Sequence, residues 1–137
     1  RDLRMSRGLG DVYKRQELFE GDSIVYIQRI RYADATPIMI ENNYYPCHKF
    51  SFLLTEPLDS SLYQLFREKY DICIGCSQNS YIDAVKASTE QANLLHISPG
   101  DPLFLFHTEM YDIHNELIHV GYEYICDSKY RFCYDNS

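Results

Sequence analysis

The 137-residue chain is predicted to be an α+β domain with a mainly antiparallel sheet, and three observations point there. Apolar, β-branched and aromatic stretches come in hairpin-like pairs toward each end of the chain, at Ile24–Tyr45 and Leu103–Phe132. Between them lie short segments with helical spacing of apolar residues, so the order reads β-β-(α)-α-β-α-β-β rather than alternating βαβ units. Tyrosine occurs 13 times and tryptophan not at all, a bias that suits pleated surfaces and pockets with a polar tip.

The first sixteen residues, RDLRMSRGLGDVYKRQ, lack useful periodicity and differ in charge from the rest. They carry five of the 13 basic residues and two of the 20 acidic ones. The other 121 residues therefore hold 8 basic and 18 acidic groups, a balance of −10. The stretch GLGDVYKRQ is similar to translated sequencing-adapter read-through, so residues 1–16 are set aside as an artefactual leader and residues 17–137 taken as the domain. On that reading the natural protein continues upstream.

Ile24–Tyr32 and Pro37–Tyr45 read as strands joined at ADATP, with Pro46 ending the second. CHKFSFLL is an irregular or short helical connection. LDSSLYQLFREKYD is the best helix signal: Asp59 or Ser60 can cap it, and Leu62, Leu65, Phe66 and Tyr70 form one apolar stripe. ICIGCSQNSYIDAVKAS is extended, with Gly75 marking a bulge. STEQANLLHI is a short helix capped by Ser88 or Thr89, with Glu90 in its first turn. The last two strands meet at HNE and carry apolar residues on both faces, which predicts a sheet covered partly on each side.

Composition excludes several classes. No stretch has the roughly 20 apolar residues of a membrane span, and no signal peptide is visible, so a cytoplasmic address is expected. A surface this acidic does not hold a nucleic-acid backbone by itself. Five cysteines, an odd number, in such a protein suggest reduced thiols, and the lone Cys73-Ile-Gly-Cys76 has no second pair to complete a zinc site. The five histidines show neither metal spacing nor a triad signature, so no cofactor or metal is expected.

Arg29, Arg31 and Glu41 interrupt the first hairpin. Arg29 and Arg31 share a face because strand side chains alternate. A three-residue loop, Asp34-Ala35-Thr36, would pair Ala33 with Pro37 and set Arg31 opposite Met39 and Arg29 opposite Glu41. A slip of one residue would send Glu41 to the other face. The patch is then either a solvated face with one cross-strand ion pair, or a pocket whose guanidinium forks receive phosphate or carboxylate oxygens. Ser60 and Ser61 open the following helix, where free N–H groups and hydroxyls either cap the helix or complete an anion site, and Tyr63 points to the same end or packs on the sheet.

RIRYADATPIMIENNYYP, DSSLYQLFREKY and ASTEQANLLHISPGDPLFLFHTEMYDIHNELIHVGYEYICDSKYRF together resemble a UTRA domain, the effector-binding C-terminal domain of HutC-type GntR-family bacterial transcription regulators. The resemblance spans about Asp22 to Phe132. It implies a chorismate-lyase-like fold, a homodimer, and a winged helix-turn-helix N-terminal domain that is absent here and through which alone DNA would be bound. It also implies that Arg29, Arg31 and Ser61 hold the phosphate of a sugar phosphate or similar small anion, that Glu41 holds its sugar, and that Tyr63 lies nearby. Two stretches depart from the family pattern. His119 stands where many members carry a ligand-reaching glutamate, and Cys126-Asp127-Ser128 replaces an Arg-Gly-Asp-like stretch. Glu123, on the same face as His119, can compensate. Two other readings stand beside the sensor: a chorismate-lyase-like enzyme, and a dimerisation module with a vestigial pocket in which exposed Tyr122 or Tyr124 builds the subunit contact.

Overall fold

A computed structural model describes residues 3–10 and 23–126. Six strands form one antiparallel sheet: β1 (Leu3–Gly10), β2 (Ile24–Ala33), β3 (Thr36–Pro46), β4 (Ile74–Lys86), β5 (Pro102–Asp112) and β6 (Leu117–Cys126). Their spatial order is β1-β2-β3-β6-β5-β4. Three helices accompany them: α1 (Cys47–Phe50), continued by a 3-10 turn (Ser51–Leu54), α2 (Leu62–Tyr70) and α3 (Thr89–Leu95). From residue 23 onward the order is the one expected from the apolar patterns.

The sheet is covered on both sides, as the doubled apolar positions required. On one side Val25, Ile27 and Tyr45 pack with Phe50, Leu53, Leu62 and Phe66 from α1, the 3-10 turn and α2. On the other, Ile30, Ile40 and Leu103 pack with Ala92 and Leu95 of α3. Phe66 is fully buried and meets the rings of Phe50 at 5.2 Å and Tyr45 at 5.9 Å, so it fixes α2 against the sheet.

Several expectations are corrected. Leu3–Gly10, to which the sequence pattern assigned no element, pairs with β2 from Leu3↔Arg31 to Gly10↔Ile24. Strand pairing uses main-chain N–H and C=O groups, so it needs no apolar pattern in the side chains. The expected boundary between residues 16 and 17 lies outside the described residues, as do Asp127, Ser128 and Cys133. The β2–β3 turn holds two residues rather than three. Ala33 pairs with Thr36 and Tyr32 with Pro37, and a bulge at Arg31/Tyr32 then restores Arg31↔Met39 and Arg29↔Glu41. Asp34 supplies the left-handed conformation this tight turn requires, at φ 55°. The cap of α2 is neither Asp59 nor Ser60 but Ser61, whose Oγ accepts from the Gln64 N–H at 3.3 Å. Tyr124 is half-buried in the α3-side core, and Tyr122 lies between Tyr44 and His107, so neither is the freely exposed ring that a subunit contact was expected to use.

Other local readings match. Ser88 caps α3 in a capping box with Gln91. The ladder of β4 shifts at Ile74/Cys76, and a side chain at Gly75 would meet the Asp112 carbonyl, so glycine is required at that close approach. Cys47, Cys73, Cys76 and Cys126 are free thiols.

Truncating the residue that anchors α2 tests this packing. Phe66→Ala is expected to lower unfolding free energy by about 3–5 kcal/mol, the usual scale for deleting a buried aromatic ring. Urea denaturation followed by circular dichroism measures it, and a change under about 1 kcal/mol would contradict the packing.

Candidate functional site

The chain's charged strand residues converge because register aligns them. Arg29 of β2 faces Glu41 of β3, and Glu41 faces Glu123 of β6. Arg31 lies two residues along β2 on the same face, and His119 lies four residues before Glu123 on β6. The start of α2 is carried over this row by Leu62 and Phe66, whose burial leaves Ser61 and Tyr63 at the rim. The result is a hollow of about 490 Å³. Arg29, Arg31, Glu41, Ser61, Tyr63, His119 and Glu123, the seven residues singled out from the sequence, all line it.

Glu41 is the centre of the charge pattern. Its Oε1 lies 3.2 Å from Arg29 Nε, and its Oε2 accepts a hydrogen bond from Arg31 Nη1 at 3.2 Å. The Arg29 contact is a charge contact rather than an aligned hydrogen bond, because Arg29 Nε and Glu41 Oε1 each lack a hydrogen-bond partner. The arginine side chains differ in access: Arg29 is 12% exposed and Arg31 is 32% exposed. Arg29 also reaches the Ser60 carbonyl from Nη1 at 3.5 Å, a long contact that ties β2 to the segment before α2.

Ser61 spends its oxygen on the Gln64 N–H and keeps its hydroxyl hydrogen to donate. The first N–H groups of any helix have no intrahelical partner and favour negative charge. One end of the hollow therefore gathers two guanidinium groups, a hydroxyl and a helix start, with Asp59 exposed at the edge. The other end holds His119, Tyr63 and Glu123. Burial, with the Glu41 charge second, raises the Glu123 carboxyl above its ordinary range.

Tyr63 Oη and His119 Nε2 are 2.7 Å apart. Burial and the carboxylates of Glu123 and Glu41 push the Tyr63 phenol up to about 12, so it stays protonated. Burial, with the Arg29 charge second, lowers His119 from 6.5 to about 4, so its imidazole is neutral near pH 7. His119 Nδ1 is buried without a hydrogen-bond partner. Tyr45, fully buried, lies beneath, its ring 5.3 Å from that of His119.

Sequence reasoning missed Asn43, Tyr45, Asp59 and Leu62 as walls of the hollow, whereas Ser60, offered with Ser61 as either a cap or part of an anion site, lines it. A signal was present for two of them. Asn43 and Tyr45 alternate with Glu41 along β3, so the face that carries Glu41 carries them too. Asp59 and Ser60 reach the site only through the path of the chain before α2.

A model of the UTRA domain family matches residues 10–131. No curated protein sequence matches the chain. Among solved structures, the chain is similar to a GntR-family transcriptional regulator from Enterococcus faecalis V583. Identity is 26%, TM-score 0.87, and the match covers 98% of this chain and 100% of that one. The effector domain of PhnF from Mycobacterium smegmatis has the same fold at 19% identity and TM-score 0.82, over 95% of this chain and 81% of that one. Against the longer PhnF structure the match covers 58% of that chain.

The buried imidazole makes stability depend on pH. Between about pH 4 and 6.5 the unfolded chain binds a proton on His119 that the folded chain refuses. Stability is therefore lost as pH falls through that window and is unaffected by this group above it, with a penalty of about 2 kcal/mol at pH 5. His119→Phe is expected to reduce the drop in unfolding free energy between pH 7 and pH 5 by about that amount, measured by urea titration at both pH values. Equal drops in the two proteins would contradict the assignment.

Proposed function

The chain belongs to the UTRA domain family, and from that premise we propose that it is the effector-sensing domain of a HutC-type GntR transcription regulator that binds a small anionic metabolite such as a sugar phosphate. The observation that carries this reading is the convergence of Arg29 and Arg31, bridged by Glu41, on a hollow that also receives Ser61 at the start of α2. Guanidinium forks match phosphate and carboxylate oxygens in geometry as well as charge. Glu41 holds both arginines and retains acceptor capacity on Oε1 for a ligand hydroxyl or amine.

In this reading the domain senses and does not catalyse. Its histidine is buried, neutral and bonded to a phenol rather than set beside a nucleophile. The domain works as a homodimer in the cytoplasm. DNA is contacted by an N-terminal winged helix-turn-helix that these 137 residues do not include. Effector binding in this reading alters the spacing of the attached DNA-binding domains across the homodimer.

Selective binding to the folded state raises the melting temperature. Inorganic phosphate and hexose 6-phosphates are expected to do so, and no shift across phosphorylated sugars and small carboxylates would contradict the reading. Arg31→Ala is expected to weaken binding by about 1.5–3 kcal/mol, the scale of a charged hydrogen bond. Unfolding free energy should change by less than about 1 kcal/mol, because a third of that side chain is exposed. Calorimetric titration and urea denaturation of the same variant separate the two effects.

A further inference from the structure

Ser60 and Ser61 stand on one wall of the hollow and Arg29 and Arg31 on another. An anion meets both walls only if the start of α2 keeps a fixed place over the sheet. Apolar packing alone does not fix it: Leu62 and Phe66 are buried, but Asp59, Ser60 and Ser61 in front of them are exposed. Among the described residues two polar contacts tie this start to the sheet. One is the contact of Arg29 Nη1 with the Ser60 carbonyl, at 3.5 Å. The other is the 2.7 Å hydrogen bond between Tyr63 Oη and His119 Nε2, which carries α2 across to β6. The first lies at the outer limit of hydrogen-bond length, so the second is the stronger tie.

The setting of His119 points the same way. Its ring lines the hollow, yet neither nitrogen is open to a ligand, since Nε2 is taken by Tyr63 and Nδ1 is buried. The ring packs 5.3 Å from that of the buried Tyr45 and lies 5.9 Å from that of Tyr63, tilted by 30°. Gly121 makes room for it: a Cβ there would stand 3.3 Å from both His119 Nδ1 and Cε1 and would crowd the imidazole. Asn43, Tyr63, His119 and Glu123 also line a second hollow, of about 640 Å³, whose other walls include Ile82, Phe106 and Thr108. The bonded pair is thus part of a wall that two hollows share.

We propose that His119 is a positioning residue: through Tyr63 it holds the start of α2, with Ser60 and Ser61, at the distance from Arg29 and Arg31 that an anion requires, and it does not itself touch the ligand. This rests on the anion reading above. It gives His119, expected from the sequence to bind the ligand in place of a glutamate, the part of a strut between helix and sheet. An arriving anion competes with the Ser60 carbonyl for Arg29 Nη1. Once that contact is lost, the Tyr63 bond is the polar tie that remains.

Calorimetric titration of the full chain with inorganic phosphate tests this in Tyr63→Phe, His119→Phe, the double variant, and His119→Gln, whose amide can still meet the phenol. Each single Phe variant is expected to weaken phosphate binding by about threefold to tenfold, the scale of one hydrogen bond. The double variant should bind no more weakly than the weaker single one, because both changes cut the same bond. His119→Gln should bind within about twofold of the parent. Hydrogen exchange without ligand supplies a second measure. In both Phe variants the Gln64 and Leu65 amides, which bond to Ser61 and close the first turn of α2, should exchange faster. The Ile72 amide, bonded to Phe66 at the far end, should keep its parental rate. Losses that multiply in the double variant would show that His119 meets the ligand directly, and overturn the proposal. Parental binding by either Phe variant, or no recovery in His119→Gln, also overturns it, and all three results leave the anion site standing. Faster exchange that includes Ile72 would show a loss of general stability rather than of position, and counts against it equally. Absence of phosphate binding by the parent overturns the anion site, and this proposal with it.

Discussion

Two arginines on one strand face repel each other and resist burial unless a carboxylate stands between them. Glu41 is that carboxylate, and much of the site's geometry follows from where it sits. It is largely buried, so its charge is poorly screened, and it approaches Arg29 and Arg31 with different oxygens. A buried carboxylate left with no cationic partner is costly, and with two arginines on Glu41 either one still holds it when the other is lost. The arrangement therefore resists loss of either arginine's position while leaving one carboxylate oxygen without a hydrogen bond. Its location depends in turn on the bulge at Arg31/Tyr32. Without that extra residue the register of the tight turn would pair Arg29 with Ile40, and the carboxylate of Glu41 would point to the α3 side.

Covering both faces of the sheet is what allows a polar hollow on one of them. The α3-side core buries Ile30, Ile40 and Leu103 and needs nothing from the charged row. On the other side α1, the 3-10 turn and α2 cover only the end of the sheet near Val25, Ile27 and Tyr45. Beyond the edge of that apolar cluster the face is left to Arg29, Arg31, Glu41 and Glu123. The aromatic contacts of Phe66 set how far α2 stands from the sheet, and so set the depth of the hollow.

Much of this was legible in the chain, for identifiable reasons. Strand alternation places Arg29, Arg31, Glu41, His119 and Glu123 on one face once the register is known, and the Arg29↔Glu41 register was anticipated. It was anticipated from a wrong turn, however: a two-residue loop followed by a bulge has the same register as a three-residue loop, and the pattern of side chains cannot tell them apart. The cap at Ser61 was missed by one residue because Asp59, Ser60 and Ser61 are all competent caps, and only the path of the chain chooses among them. β1 was missed because an edge strand needs only backbone to pair. The second hollow was invisible because Ile82, Phe106 and Thr108 come together across β4, β5 and β6, and none is unusual in its own strand. The family resemblance suggested phosphate binding for Ser61, which spacing alone left between capping and binding, and placed Tyr63, which spacing left between the same end and the sheet, near the ligand.

The position of β4 at the border of the sheet has a consequence for solubility. Among the described residues its far side has no neighbouring strand in the sheet order, and nearly all of its residues are exposed. Such a border is a template on which foreign extended chains can grow. Here the ladder is broken at Ile74/Cys76 and again at Gln78/Tyr81, leaving Tyr81–Lys86 as its longest unbroken run. A stranger adding to that border would meet regular backbone chiefly along that run, which carries charges at Asp83 and Lys86. The irregularities that distort β4 thus also guard the molecule against fibrous self-association.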